Sequence, residues 1–125
     1  MGRLSQLLVC ILLAGTFSAC AEGATTVPLP AVLKGRWETD APAYADRFFE
    51  LTGTSLIIGT GGGNSERSTI VKVRRAVDKV GVVYSIEYLD PAGARNRMAF
   101  YFEGNAGGTI RLKNQQGIVW KQVRR

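Results

Sequence analysis

The segment Val82–Gly93 reads VVYSIEYLDPAG, and residues 95–103 continue the chain as RNRMAFYFE. Large apolar side chains recur at every second position of each run, as at Tyr84, Ile86 and Tyr88. A period of two is typical of a strand with one buried face. Between the runs, DPAG places Asp, Pro and Gly at the positions that a type I turn favours. The stretch therefore predicts an antiparallel hairpin.

Turn signals divide the rest of the chain in the same way. Asp78–Gly81 and Asn114–Gly117 also begin with Asp or Asn and end with Gly three positions later. Residues 41–46 are the one helix candidate outside the N-terminus, and they make only about one turn. We expect eight strands, near residues 33–39, 46–52, 54–60, 68–77, 81–89, 95–103, 108–113 and 117–123.

Short connections between these strands predict an all-β fold in which neighbours in sequence are neighbours in space. An eight-stranded antiparallel up-and-down meander can close into a small barrel, which removes the exposed sheet edges. The interior of such a barrel is filled with side chains or holds one small ligand. A half-open sheet or a two-layer sandwich is the alternative that the same strands allow.

The first 20 residues carry the features of an export signal. Arg3 precedes an apolar run over residues 7–17 that is too short to span a bilayer. Residues 17–20, FSAC, resemble the lipobox of bacterial lipoproteins, in which Cys20 becomes the lipidated first residue; Phe17 stands where that motif usually has Leu. The alternative is an ordinary signal peptidase cut after residues 19–21, ACA, which leaves Glu22 first.

Three segments follow from this interpretation. Residues 1–19 are the signal peptide, residues 20–30 are a tether punctuated by Pro28 and Pro30, and residues 31–125 form the barrel domain. We expect the protein to be lipid-anchored at the bacterial cell envelope, at the outer membrane, and to face the periplasm. A soluble periplasmic protein is the alternative if Cys20 is removed with the signal.

Reactive side chains are scarce in the part of the sequence that follows the signal. The chain contains no histidine, and its two cysteines, Cys10 and Cys20, lie within or at the end of the signal. We therefore expect no disulfide, no cofactor, no metal and no enzymatic activity. The carboxylates of Asp40, Asp46 and Glu50 keep a hydrolase open as a remote alternative, but their spacing is not that of a metal site.

The formal net charge is +6, which favours anionic partners. Nucleic acid is not expected for an exported protein, so an anionic lipid or polymer of the envelope is the candidate. Exposed cations are also the default surface of a protein, and Glu residues on neighbouring strands can neutralise them. The candidate anion-contacting face consists of Arg36, Arg97, Arg111, Lys113 and Lys121.

Gly35-Arg36-Trp37 begins the first expected strand, and a closed barrel brings Trp120 of the last strand beside it. We predict that Gly35, Trp37 and Trp120 form a barrel plug or a ligand wall. The Gly-x-Trp pattern resembles that of the calycins, the superfamily of lipocalins and avidins, which implies a ligand-binding barrel. The chain is shorter than a typical lipocalin, and it has no C-terminal helix signal.

Leu29-Pro30, a few residues ahead of Gly35, also resembles the small bacterial inhibitors of secreted metalloproteases. That resemblance implies that residues 27–34 insert into a protease cleft. This chain lacks the cysteine pair of those inhibitors.

The run Gly59–Ser65, GTGGGNS, is the most conspicuous loop of the sequence. Glycine-rich loops can hold an anion on their backbone amides, but no helix signal follows this one, so a hairpin is the stronger interpretation. The sequence as a whole predicts a lipid-anchored binding module of the envelope. Its expected partners are the membrane and a small apolar ligand or an anionic envelope component, and a peptidase inhibitor is the alternative.

Overall fold

The computed structural model describes residues 24–123, and these residues form antiparallel strands without an α-helix. Short 3₁₀ turns occur at Ala31–Leu33, Pro42–Tyr44 and Asn105–Gly107. The strands are β1 (Ala24–Thr26), β2 (Gly35–Thr39), β3 (Phe48–Leu51), β4 (Ser55–Gly61), β5 (Asn64–Val77), β6 (Val82–Leu89), β7 (Arg95–Glu103), β8 (Thr109–Leu112) and β9 (Gln115–Gln122).

Strands β2 to β9 close into an eight-stranded up-and-down barrel, as the sequence predicts. Each strand pairs with the next, and β2 pairs with β9 to complete the ring. Strand β5 is long enough to pair with β4 through its first half and with β6 through its second. The half-open sheet and the sandwich are therefore wrong for this chain.

The hairpin predicted for residues 82–103 is present and consists of β6 and β7. The two strands are in register from Val83 opposite Tyr101 to Leu89 opposite Arg95. Its turn is held by Asp90, whose side chain accepts hydrogen bonds from the backbone N–H groups of Ala92 and Ala94 at 3.0 and 2.9 Å. These hydrogen bonds lower the pKa of the Asp90 carboxyl, and the bond from the N–H of Ala94 has the largest effect.

One turn lies elsewhere than predicted. Leu112 pairs with Gln115, so the β8–β9 connection is the two-residue loop Lys113–Asn114 and not a turn over residues 114–117. Asn is favoured in such tight hairpin loops, which accounts for the shift. Gly117 lies inside β9, beside a register irregularity of the β8–β9 pair.

The segment predicted as a tether contributes a ninth strand. β1 pairs with the second half of β5, where Ala24 lies opposite Ala76, and the N–H of Val27 donates to the carbonyl of Val73 at 2.9 Å. Val27 and Leu29 pack against the core. From Ala24 onward this segment therefore belongs to the folded body, because β5 extends beyond β4 and leaves an edge to be paired. Residues 1–23, with the predicted signal and Cys20, lie outside the described residues, as do residues 124 and 125.

The two ends of the barrel differ. At the end that we call the closed end, the 3₁₀ turn of residues 31–33 leads into β2, and Leu33 and Trp37 are both fully buried. The indole Nε1 of Trp37 donates to the Leu33 carbonyl at 3.1 Å, and Phe102 meets the same indole edge-on at 6.3 Å. The other end, called the open end, is formed by the β2–β3, β4–β5, β6–β7 and β8–β9 connections.

Within residues 24–123, no helix is long and apolar enough to cross a membrane.

Candidate functional site: a pocket at the open end

A pocket of about 560 Å³ lies at the open end of the barrel. Pockets that hold small molecules have volumes of about 300–1,000 Å³, so its size suits one ligand. Its lining consists of Tyr44, Arg47, Phe48, Phe49, Ile58, Gly59, Thr60, Tyr88, Arg97, Met98, Ala99, Leu112, Lys113, Asn114 and Trp120. Aromatic and aliphatic side chains dominate this set, and none of its members is acidic.

Three aromatic rings form a continuous wall of the pocket. The ring of Trp120 lies 5.2 Å from that of Phe49 and 6.0 Å from that of Tyr44. Tyr44 belongs to the 3₁₀ turn between β2 and β3, and Gln115 Nε2 donates to its hydroxyl at 2.9 Å, which fixes the turn over Trp120. Such a wall offers a large apolar surface at little conformational cost to a ligand.

Trp120 carries an unpaired polar atom in this wall. The residue is 5% exposed, and among residues 24–123 no acceptor lies within hydrogen-bond distance of its buried Nε1. Leaving a buried N–H without a partner costs about 1–3 kcal/mol. Trp37 provides the contrast, because its Nε1 is satisfied by a backbone carbonyl. A lining residue of the pocket therefore carries a buried hydrogen-bond donor without a partner among the described residues.

Tyr88 brings a phenol to the same pocket from the end of β6. Burial raises the pKa of this phenol, and the nearby carboxylates of Asp90 and Glu66 raise it further. Tyr88 therefore stays neutral at physiological pH and presents a polar but uncharged group.

Three cationic residues line the pocket: Arg47 before β3, Arg97 in β7 and Lys113 in the β8–β9 loop. No ion pair involves any of them within the described part of the chain. Other cations of the barrel are engaged, since Arg36 contacts Glu38 at 2.8 Å and Arg111 contacts Glu103 at 3.6 Å. Among residues 24–123, unpaired cations also occur outside the pocket lining, so what distinguishes the lining is that it combines three cations with no acidic residue; the others are Lys34, Arg67, Lys72, Arg75, Lys79 and Lys121.

Two acidic groups near the open end, Asp46 and Asp90, are held by backbone N–H groups of the loops at that end. The carboxylate of Asp46 accepts the backbone N–H of Gly62 at 3.0 Å, and this bond is the first cause of the lowered pKa of Asp46, ahead of the charge of Arg47. Asp90 is engaged by its own turn and by the side-chain amide of Asn96 at 3.0 Å. These carboxylates are stabilised as anions without entering the pocket lining.

Gly35, Trp37 and Trp120, which the sequence predicts to form a plug or a ligand wall together, lie at different levels of the barrel. Trp37 is fully buried at the closed end, whereas Trp120 lines the pocket, and the ring of Phe49 lies between them at 6.3 Å from Trp37. In the β2–β9 pair, Trp120 lies opposite Thr39 and not opposite Trp37. At Gly35 a side chain would meet Gln122, and its φ of 133° is one that few residues with a side chain adopt.

The predicted basic face is divided among several places. Arg97 and Lys113 line the pocket, and Lys121 lies with Glu38 and Asp40 beside a second cleft outside the barrel. Arg36 and Arg111 are in the ion pairs described above, and the Arg36 guanidinium also covers the Phe48 ring at 3.7 Å. The five cations come from β2, β7, β8, β9 and the β8–β9 loop, which curve around the barrel axis, so they do not share one flat face.

The glycine-rich loop is a hairpin. Gly61 pairs with Asn64, and Gly62 and Gly63 have φ of 65° and 84°, values that a two-residue hairpin loop requires and that glycine adopts freely. The backbone N–H of Gly62 donates to the carboxylate of Asp46, which ties this hairpin to the β2–β3 connection. No cluster of three or more acidic, Cys or His side chains that could hold a metal occurs in residues 24–123.

The sequence patterns do not identify several of the residues that line the pocket, notably Tyr44, Arg47, Phe49 and Met98. A usable signal is the topology itself, because alternate connections of a meander meet at one end of a barrel. The residues that flank the β2–β3 and β6–β7 connections would then be grouped with those of the β8–β9 loop.

Comparison with known proteins finds no matching family model, no matching curated protein and no matching solved structure. The resemblance to calycins and to metalloprotease inhibitors therefore stays a prediction.

Proposed function

We propose that this protein is a binding module of the bacterial envelope, anchored by a lipid on Cys20 and facing the periplasm, whose barrel holds one small and largely apolar molecule. The observation that carries the proposal is the pocket of about 560 Å³ with its wall of aromatic rings. No reaction is assigned to the pocket, because its lining offers no acid and base pair that faces a common point.

The peptidase-inhibitor alternative gains no support from the N-terminal segment. Residues 27–34 would have to enter a protease cleft, yet Val27 and Leu29 pack against the core and Leu33 is fully buried. Gln122 Nε2 also donates to the backbone carbonyl of Lys34 at 2.8 Å. The segment lies along the barrel and does not project from it, so the pocket is the better basis for a function.

The test is a binding measurement with a pocket-blocking variant. Met98 is half-buried in the lining, and Met98→Trp adds volume there, so we expect affinity for an apolar naphthalene dye to fall at least about tenfold. Val80→Trp introduces the same ring at an exposed position of the closed end and is the matched control. If the wild type and Met98→Trp bind the dye with equal affinity, and both have native circular dichroism, then the dye does not bind in the pocket and the proposal is wrong.

A further inference from the structure

We propose that the ligand is an amphiphilic organic anion, with its apolar body against the aromatic wall and its charged group at the rim beside Arg47 and Arg97. This inference rests on the proposed function and narrows the class of ligand. Neither a neutral hydrocarbon nor an amphiphilic cation fits the same pocket as well.

The wall determines the apolar part of the ligand. Phe49, Trp120, Ile58, Met98 and Leu112 present carbon surface from five different strands. Burial of apolar surface contributes about 25 cal/mol per Å², so a chain or ring system placed here supplies the main part of the binding free energy. Two hydrogen-bonding groups are set in this surface, the Tyr88 phenol and the Trp120 indole.

The charges of the pocket lining determine the polar part of the ligand. The pocket is lined by three cations and no carboxylate, and within residues 24–123 none of the three takes part in an ion pair. The acids toward this end are Asp46, Asp90, Glu66, Asp40 and Glu87. Asp40 lines the second cleft, and Glu87, opposite Arg97 in the β6–β7 pair, contacts Arg74 and Arg95. Backbone N–H groups of the loops at this end hold Asp46 and Asp90, and Glu66 lies in β5 near Tyr88 but is not itself a lining residue.

Arg47 and Arg97 are the cations that we assign to the ligand. The ammonium charge of Lys113 also acts on Asp78, whose lowered pKa has the hydrogen bond from Tyr101 as its first cause. The charge of Arg47 acts in the same way on Asp46, so the choice of the two arginines rests on the chemistry of their guanidinium groups. A guanidinium can bind an oxyanion through two parallel N–H groups, which makes the two arginines the more selective pair.

The indole of Trp120 adds an observation that is independent of charge. Its Nε1 is buried and has no hydrogen-bond acceptor among the described residues. Buried donors without partners are rare in folded proteins. An oxygen of the ligand that reaches this ring would supply the missing acceptor.

Three probes with the same twelve-carbon chain separate the contributions: dodecanoate, dodecanol and dodecyltrimethylammonium. Each is titrated calorimetrically below its micelle concentration into residues 21–125, which contain the whole closed barrel and its core. We expect dodecanoate to bind at least about tenfold more tightly than dodecanol, and the cation to bind most weakly. The advantage of dodecanoate should shrink in high salt, because rim charges are exposed and screened.

Variants assign the effect to the rim. We expect R47Q/R97Q to weaken dodecanoate binding about five- to tenfold, which corresponds to about 1–1.4 kcal/mol, and to leave dodecanol binding unchanged, because the rim charges are exposed and screened by solvent. R75Q/K79Q removes the same net charge near the closed end, outside the pocket lining, and should change neither affinity. Equal loss in both double variants would overturn the assignment, because the effect would then be one of net charge.

The two tryptophans supply an internal control by nuclear magnetic resonance. The indole N–H signal of Trp120 should move when dodecanoate binds, while that of Trp37, bonded to the Leu33 carbonyl, should stay. If dodecanol binds as tightly as dodecanoate, the proposed function stands and the anion inference fails. If none of the probes binds or displaces the dye, both fail.

Discussion

At the scale of single residues, close contacts decide which positions accept a side chain. Gly59 lies opposite Phe48 in the β3–β4 pair, and the Phe48 ring covers the Gly59 backbone so closely that an added methyl group would overlap the ring. On its other side the ring is covered by Arg36. The glycine is therefore required by packing.

Replacement of Gly59 by alanine should lower the free energy of unfolding by about 1–3 kcal/mol, the usual effect of an overpacked site. Urea denaturation measures it. Gly117→Ala is the control, because no atom lies within 4 Å of the added methyl group there. An equal change in both variants would show that the Phe48 contact is not responsible.

Trp37 is the largest fully buried side chain among residues 24–123, and it lies toward the closed end, where it is predicted to be a plug. Trp37→Ala should lower the free energy of unfolding by about 3–5 kcal/mol, because it leaves a cavity and an unpaired Leu33 carbonyl. Chemical denaturation tests this, and Trp37→Phe should recover most of the loss. Stability equal to the wild type in Trp37→Ala would contradict the plug role.

At the scale of elements, the β5–β6 turn shows how one carboxylate fixes a connection. Asp78 accepts the Tyr101 hydroxyl at 2.7 Å and the backbone N–H groups of Val80 and Gly81 at 2.8 and 3.2 Å. These bonds favour the ionised form, so the pKa of Asp78 lies below its usual value of 3.8, with the Tyr101 bond as the first cause.

A lowered pKa in the folded state gives a definite pH dependence. The stabilisation is fully present above the usual Asp pKa of 3.8 and is lost as the pH falls through the lower pKa of the folded state. We expect Asp78→Asn to be less stable than the wild type at pH 7, and this difference to shrink below about pH 4.

Urea denaturation as a function of pH checks the prediction, with Asp40→Asn as the control. Asp40 makes no hydrogen bond or ion pair through its carboxylate within residues 24–123, so its removal should not alter the profile. A wild-type advantage over Asp78→Asn that stays constant from pH 7 to pH 2 would refute the proposed linkage.

The elements also show how far the sequence predicts this structure. Alternation over β6 and β7 and the Asp-led turns predict the hairpins, because local pattern and turn chemistry agree there. The β8–β9 turn and β1 are missed, since a two-residue loop at Lys113–Asn114 and a strand made of Ala24–Thr26 have no apolar period. Residues 24–26 form a strand because they pair with the edge of β5 that β4 leaves free.

The site is less predictable than the strands for a related reason. Trp120 and Arg97 are found from residue type and alternation, but their grouping with Arg47 and Tyr44 depends on which connections share an end of the closed barrel. Pairwise alternation assigns a residue to a face, whereas the pocket depends on the curvature of the whole ring.

At the scale of the whole molecule, the course of β1 relates the barrel to the proposed anchor. Ala24 lies opposite Ala76, one residue before the end of β5 at the closed end. Cys20 precedes Ala24 by four residues, which span at most about 14 Å. The β5–β6 turn lies at the same end and carries the exposed Val77 and Val80 with Lys79 between them.

A lipid on Cys20 therefore predicts that the closed end faces the membrane and that the pocket opens away from it. In vesicles containing anionic lipid, a fluorophore attached through Val80→Cys should be quenched by a lipid-phase quencher. The same fluorophore attached through Ala92→Cys, in the β6–β7 turn of the open end, should not. Stronger quenching at position 92 would contradict this orientation.

Anchoring itself is tested on the protein isolated from bacterial membranes. Mass spectrometry should find a mature N-terminus at Cys20 that carries acyl chains, and Cys20→Ala should release the protein from the membrane fraction. A mature chain that begins at Glu22 would make the protein soluble in the periplasm and would leave the pocket proposal intact.

The central claim is that the open end of the barrel holds the apolar part of a ligand. Intermolecular nuclear Overhauser effects between dodecanoate and the protein test it most directly, because they identify the side chains that touch the probe. We expect contacts from the dodecanoate chain to Met98, Leu112 and the ring of Trp120. Contacts confined to the exposed valines of the closed end, or none at all, would contradict it.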